Sequence, residues 1–214
     1  MLVISYFSIK ELEKTGYNEA DFGERRLKET AKYKNENARQ LSICAELALI
    51  RAVGKACSED EALKAAFRLP LEVKTGEFGK PEFADGHPLA GRLHFNVSHS
   101  GEFAVAAAAD KPIGIDIECI SRGYTGMAEK ILNPKEAEAF RLLETEKERG
   151  YYFLENWVRK ESYLKNIGIG LMIMPRDLIV NGDMVTPVDG SYPAKKTRII
   201  RELPDEYLVS ICAD

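Results

Sequence analysis

Long apolar runs are missing from this sequence. Nowhere in its 214 residues do about 18 consecutive apolar residues occur, so it offers no helical membrane span. The opening MLVISYFSIKELEK holds an apolar stretch too short for a signal peptide and turns charged at once. Cysteine is scarce and unpaired in pattern: Cys44, Cys57, Cys119 and Cys212 form no C-x-x-C, which speaks against a thiolate zinc site. The three histidines, His87, His94 and His99, have no helical metal-ligand spacing. Together these absences predict a soluble, cytoplasmic protein in a reducing compartment. Charge of one sign is not concentrated either. With 30 Lys+Arg against 34 Asp+Glu, a net charge of −4 and no run of five or six like charges, neither a nucleic-acid nor a membrane partner is expected. A G-x-S-x-G elbow is also lacking, which removes the common serine-hydrolase reading.

The remaining composition is that of an ordinary globular chain, 45% hydrophobic and long enough to bury roughly 70% of its unfolded surface without disulfides. Residues 2–7 read as a buried strand. A charged stretch at 19–34 precedes a helix at about 36–53, where Leu41, Cys44, Ala45, Ala48, Leu49 and Ala52 recur at helical spacing. A short helix is expected at 59–67, and no ordinary core element in the Gly- and Pro-rich 71–92. The runs 93–97, 103–109 and 113–117 read as strands, the first two joined by a turn at Ser98-His99-Ser100-Gly101-Glu102. Asn133, Pro134 and Glu136 open a helix expected to reach about 148, and a second helix spans about 151–167, ending at Gly168. Asn181-Gly182 predicts a hairpin, and 198–203 pairs with 207–212. The fold class is therefore α+β, with two lobes meeting near residue 112.

Three stretches carry chemistry. In Gly114-Ile115-Asp116-Ile117-Glu118 the period-two alternation of a strand puts both carboxylates on one face, where a divalent cation relieves their repulsion; an exposed edge strand with a polar face is the plainer alternative. In Trp157-Val158-Arg159-Lys160-Glu161-Ser162-Tyr163-Leu164-Lys165, residues 157, 161 and 165 share a helix face. Glu161 could complete a metal site and Lys165 meet a phosphate, or the two could form a surface i,i+4 pair beside a core tryptophan. In Asn96-Val97-Ser98-His99-Ser100, Ser98 and His99 could hydrogen-bond phosphate oxygens, while a lone histidine in such a turn is commonly structural.

Taken in order, Phe78-Gly79-Lys80-Pro81, Asn96-Val97-Ser98-His99-Ser100, Gly114-Ile115-Asp116-Ile117-Glu118 and Trp157…Lys160-Glu161-Ser162…Lys165 resemble the surfactin-type (Sfp-type) 4'-phosphopantetheinyl transferases over roughly residues 25–170. The smaller, trimeric holo-acyl-carrier-protein synthases share the last two motifs but are about half as long. The resemblance thus implies the larger pseudodimeric fold, two similar α/β lobes with the active site in the cleft between them, and a monomer. Residues 1–111 would form the lobe at the 3'-phosphate and adenine side of coenzyme A, and 112–214 the metal and catalytic lobe.

The implied reaction moves the 4'-phosphopantetheine arm of coenzyme A to a serine of a transiently bound acyl or peptidyl carrier protein, with Mg²⁺, releasing 3',5'-ADP. By motif, Asp116, Glu118 and Glu161 are the implied Mg²⁺ ligands. Glu161 is also the implied base, and Lys165 the group that stabilises charge on the leaving ADP. Ser98, His99, Lys80 and Lys160 are implied coenzyme A contacts, and Arg25, Lys28 and Arg39 the implied 3'-phosphate residues. Gln40 stands where the best-known member has threonine. A non-catalytic coenzyme A- or nucleotide-binding scaffold of the same fold is the alternative, and would be expected to have lost a carboxylate or Lys165. An unrelated Mg²⁺-dependent phosphohydrolase gives no role to Trp157 through Lys165 as a unit. The helix at 134–149, with Lys135, Arg141, Lys147 and Arg149, is either a carrier dock or a solvated face.

Overall fold

Alanine and leucine are the commonest residues in the segment after Asn35, and these are strong helix formers. In the computed structural model Asn35 caps helix α3, Glu36–Ser58, accepting a hydrogen bond from the Ala38 N–H at 3.0 Å. The structure describes residues 1–120 and 127–213, with the side chains of Arg25 and Leu171 left aside. Its residues group into two compact units, Met1–Ile113 and Gly114–Asp214.

In the first unit α3 lies on an antiparallel sheet of three strands, β1 (Leu2–Ser8), β4 (His94–Ser100) and β5 (Phe103–Ala109), in the order β1-β5-β4. The central strand presents Ala104, Ala106 and Ala108 to the same core as Ala45, Ala48, Leu49 and Ala52, so small side chains on both elements let them approach closely. Four elements here were not expected from the sequence. Helix α1 (Ile9–Thr15) buries Ile9 and Leu12. Helix α2 (Glu24–Thr30) occupies part of the charged stretch. The Gly- and Pro-rich segment, expected to hold no core element, forms a two-stranded ribbon of β2 (Val73–Thr75) and β3 (Pro81–Phe83), whose Phe83 is buried. Strands of three residues are too short for a period-two signal. Helix α4, Glu61–Lys64, is shorter than expected.

In the second unit a mixed α/β arrangement places helix α7 (Glu146–Ile167) on a five-stranded sheet of order β6-β10-β9-β8-β7, where β6 is Ile113–Cys119, β7 Leu178–Asn181, β8 Met184–Pro187, β9 Lys195–Ile200 and β10 Tyr207–Ala213. Helices α5 (Ala128–Ile131) and α6 (Pro134–Leu142) precede α7. The helix expected to run to 148 stops earlier because Thr145 and Glu148 form a second capping box, which restarts the backbone as α7 five residues ahead of the expected start. The hairpin loop at β7–β8 is Gly182-Asp183, with Asn181 still paired to Met184. Strand β9 lies three residues earlier than expected. Among the described residues no helix is long and apolar enough to cross a membrane.

Candidate active site

Strand β6 meets α7 at Gly114. A Cβ there would lie 2.0 Å from the Ser162 carbonyl oxygen and 2.3 Å from the Asn166 nitrogen, so only glycine permits this approach. Gly114, Asp116 and Glu118 share one strand face by alternation, and the contact at Gly114 turns that face toward α7. Ile113, Ile115 and Ile117 fill the opposite side and are fully buried. Asp116 is 4% exposed, and its Oδ1 accepts a hydrogen bond from the Lys165 ammonium at 2.6 Å.

Glu161 sits one helical turn before Lys165, and its carboxyl is pushed up to about 7. Burial is the first cause; Asp116 and Glu118 add repulsion that Lys165 only partly offsets. Trp157, Glu161 and Lys165, four residues apart and expected on one helix face, are half-buried along α7, with Trp157 tilted on Phe153 at 5.6 Å between ring centroids. The implied metal residues thus gather in one place. Among the described residues no three His, Cys, Asp or Glu side chains converge as a preformed metal cage. The donor set nonetheless fits a hard divalent cation, since Asp116 and Glu118 both repel the Glu161 carboxyl and Mg²⁺ needs only one or two protein carboxylates beside water and phosphate oxygens.

Lys160 is corrected. Its ammonium, expected at coenzyme A, is 0% exposed and bonds to Glu136 and to the Ile131 carbonyl oxygen at 2.8 Å. Glu136 in turn accepts from the Val180 N–H at 2.8 Å and the Asn133 N–H at 2.9 Å, so the pair ties α7 to α6 and β7. An ammonium so enclosed does not reach a ligand. Burial acts to lower its affinity for the proton while Glu136 opposes this. The sequence signal for its partner was the capping-box glutamate, whose second role is tertiary.

The remaining expected residues lie in the first unit. Lys80, in the loop between β2 and β3, donates to the Ile113 carbonyl oxygen at 3.0 Å. Ser98 and His99 belong to β4 rather than to a turn, which consists of Gly101 and Glu102 alone. Consecutive strand residues point to opposite faces, so Ser98 is half-buried on one side and His99 exposed on the other. Lys28 pairs with Glu24 at 2.6 Å and Arg39 with Glu36 at 3.6 Å, both on exposed helix surface. The Arg25 side chain lies outside the described residues. The guanidinium that the sequence reading passed over is Arg26, which donates to Glu46 Oε2 at 2.7 Å and borders a hollow of about 370 Å³ with Gly23, Glu46, Pro70, Leu71 and Val73.

Residues 112–212 match the family model of the 4'-phosphopantetheinyl transferase superfamily. A 4'-phosphopantetheinyl transferase of Bacillus subtilis is 33% identical over 123 residues, covering 56% of this chain and 53% of the relative. The 4'-phosphopantetheinyl transferase gsp of Aneurinibacillus migulanus is 38% identical over 102 residues, covering 47% of this chain and 39% of its own. The chain spans about half the length of such curated relatives or less. The holo-[acyl-carrier-protein] synthase of Thermotoga maritima superposes on 47% of this chain and 61% of its own at 18% identity, with a TM-score of 0.37, too loose to bear on the fold.

Proposed function

We propose that this chain, whose residues 112–212 match the 4'-phosphopantetheinyl transferase superfamily, transfers the 4'-phosphopantetheine arm of coenzyme A to a serine hydroxyl of an acyl or peptidyl carrier protein and releases 3',5'-ADP. The observation that carries this reading is the meeting of Asp116, Glu161 and Lys165 where β6 touches α7. The serine oxygen attacks the β-phosphorus of coenzyme A as the bond to the ADP oxygen breaks, so the work is to take up one proton and to balance a crowded diphosphate. Glu161, buried beside Asp116 and Glu118 one turn before Lys165, is in this reading the carboxylate that takes the serine proton. Lys165 holds fixed positive charge where negative charge grows on the leaving group.

Asp116, Glu118 and Glu161 would hold Mg²⁺. When bound, the ion supplies neutralisation of the diphosphate. In the first unit Lys80, Ser98 and His99 are the coenzyme A contacts in this reading, with Arg25, Lys28 and Arg39 at the 3'-phosphate. Lys28 and Arg39 are held by exposed helix pairs, weak enough to be exchanged for a phosphate. Two similar lobes are the architecture this reading expects. In its favour, each unit sets one long helix, α3 or α7, on an antiparallel pair of strands, β5 with β4 or β10 with β9.

Intact-mass spectrometry of an apo carrier protein, incubated with the enzyme, coenzyme A and Mg²⁺, tests the reading. One phosphopantetheine increment that EDTA abolishes is expected, and Lys165→Ala should lower kcat by about 10²–10³-fold. Coenzyme A binding without any mass gain on several carriers would replace the enzyme by a scaffold.

A further inference from the structure

Between β3 and β4, in the loop 84–93, lies a histidine that the proposed reaction does not use. His87 is 3% exposed. Its ring lies flat on Phe83 of β3, with centroids 4.8 Å apart and planes 9° from parallel, and Phe83 meets Phe95 of β4 edge-on at 4.9 Å. Nδ1 accepts the Leu89 N–H at 3.2 Å, so the proton of the neutral ring resides on Nε2. That Nε2 is buried and has no hydrogen-bond partner among the described residues. The backbone of His87 also joins the loop, donating to the Ala84 carbonyl at 3.0 Å and accepting from the Ala90 N–H at 2.9 Å.

Phe83, under the imidazole, is three residues from Lys80 on the same ribbon, which is closed by the Ala84 N–H to Glu72 carbonyl bond at 2.8 Å and the Gly76 N–H to Lys80 carbonyl bond at 2.8 Å. A phenyl ring would stack on Phe83 equally well. It would lack the acceptor for Leu89 and would not leave an unpaired N–H inside, which costs about 1–3 kcal/mol. What the imidazole adds is a lock that opens on protonation: a proton on Nδ1 faces the Leu89 N–H with a second donor and brings charge into a buried site.

We infer that His87 is a positioning residue, a proton-sensitive latch that holds the β2–β3 ribbon, and with it Lys80, in place while the ring is neutral. The charged groups that face it are Arg68, which opposes its protonation, and Glu72, which favours it; burial is the larger influence and opposes it. The sign follows: the ring binds its proton less tightly in the closed loop than in the open one, so closure is fully stable above about pH 6.5 and weakens as the pH falls below it. The role of the latch in catalysis rests on Lys80 being a coenzyme A contact, as proposed above.

Hydrogen exchange of the whole protein, corrected for intrinsic rates, reads the latch without any ligand. Between pH 7.5 and 5.5, protection of the Leu89, Ala84 and Gly76 amides should fall together, by up to about tenfold per pH unit below 6.5. In His87→Gln, which keeps an acceptor and does not titrate, that pH dependence should vanish. Loss confined to Leu89, or an unchanged pH dependence in His87→Gln, overturns the inference. Coenzyme A binding measured calorimetrically over the same range should weaken in parallel for the native chain and not for His87→Gln; affinity that stays flat while the ribbon loosens overturns the positioning of Lys80. A native chain that binds no coenzyme A at pH 7.5 overturns the proposed function instead, and the exchange data still decide the latch.

Discussion

The two long helices bury different chemistry. Helix α3 buries a mainly apolar set, Leu41, Cys44, Ala45, Ala48, Leu49, Ala52, Val53 and Ala56, with Ser42 and Glu46 as its buried polar residues. Helix α7 buries Asn156, Arg159, Lys160, Ser162 and Asn166 beside Phe153, Leu154 and Val158. Small apolar faces are non-directional and fix a helix by volume. Buried polar groups must each find a partner, so they also fix rotation and height. On α7 those partners are specific: Arg159 on Thr197 Oγ1 at 2.9 Å, Ser162 with Ser210 at 2.9 Å, Asn166 on the Cys212 carbonyl at 3.0 Å and Lys160 on Glu136. Glu161 and Lys165 stand among them on the half-buried stripe, so polar burial around them sets where these two side chains point.

That contrast can be broken first at Lys160. Lys160→Met leaves Glu136 charged and buried without its cation and should cost about 3–5 kcal/mol in urea unfolding. Leu49→Ala, in the apolar face of α3, should cost about 2–5 kcal/mol by transfer and cavity terms and leave kcat unchanged. If both variants kept full kcat in the carrier assay, polar burial would have no part in placing the site.

A subtler test uses the sign of the Glu161 shift. A carboxyl that titrates near 4.5 unfolded and near 7 folded stabilises the fold fully below about 4.5, and that contribution is lost as the pH rises through 7. Glu161→Gln in EDTA should therefore raise Tm at pH 8, on the order of 2–4 °C per kcal/mol recovered, and leave it nearly unchanged at about pH 4. Mg²⁺ should raise the native Tm at pH 8 and do little for the variant. The smallest effect belongs to Lys28→Ala, whose solvent-screened pair with Glu24 should leave the urea midpoint unchanged.

Periodicity made α3 and the central part of α7 legible, and the two tandem motifs made Asp116, Glu118, Glu161 and Lys165 legible as a group. What stayed hidden is tertiary. A lysine on a charged helix reads as solvent-facing, and only the fold brings Lys160 to Glu136, 24 positions away. A glycine in an apolar strand carries no local signal that a helix backbone lies against it, as at Gly114. The Thr145–Glu148 capping box was there to be read, since a threonine three residues before a glutamate marks a helix start. At Ser98-His99-Ser100 the hydroxyls suggested a turn, whereas pairing with β5 carries the strand through Ser100 and leaves a two-residue loop.

The alanines of β5 have a consequence for folding. Ala104, Ala106, Ala107, Ala108 and Ala109 make the strand nearly the same to its neighbours when it is displaced by two positions, so side-chain shape discriminates poorly between the correct pairing and its nearest competitor. The discrimination falls to the loop. Gly101, at φ 60, occupies the first of two central positions, where a II' turn requires a positive φ that other residues adopt only with strain. A side chain at position 101 would therefore do more than strain a surface turn: it would remove the marker that tells one pairing of an alanine strand from another, and slow folding through mispaired states would appear before any loss of native stability.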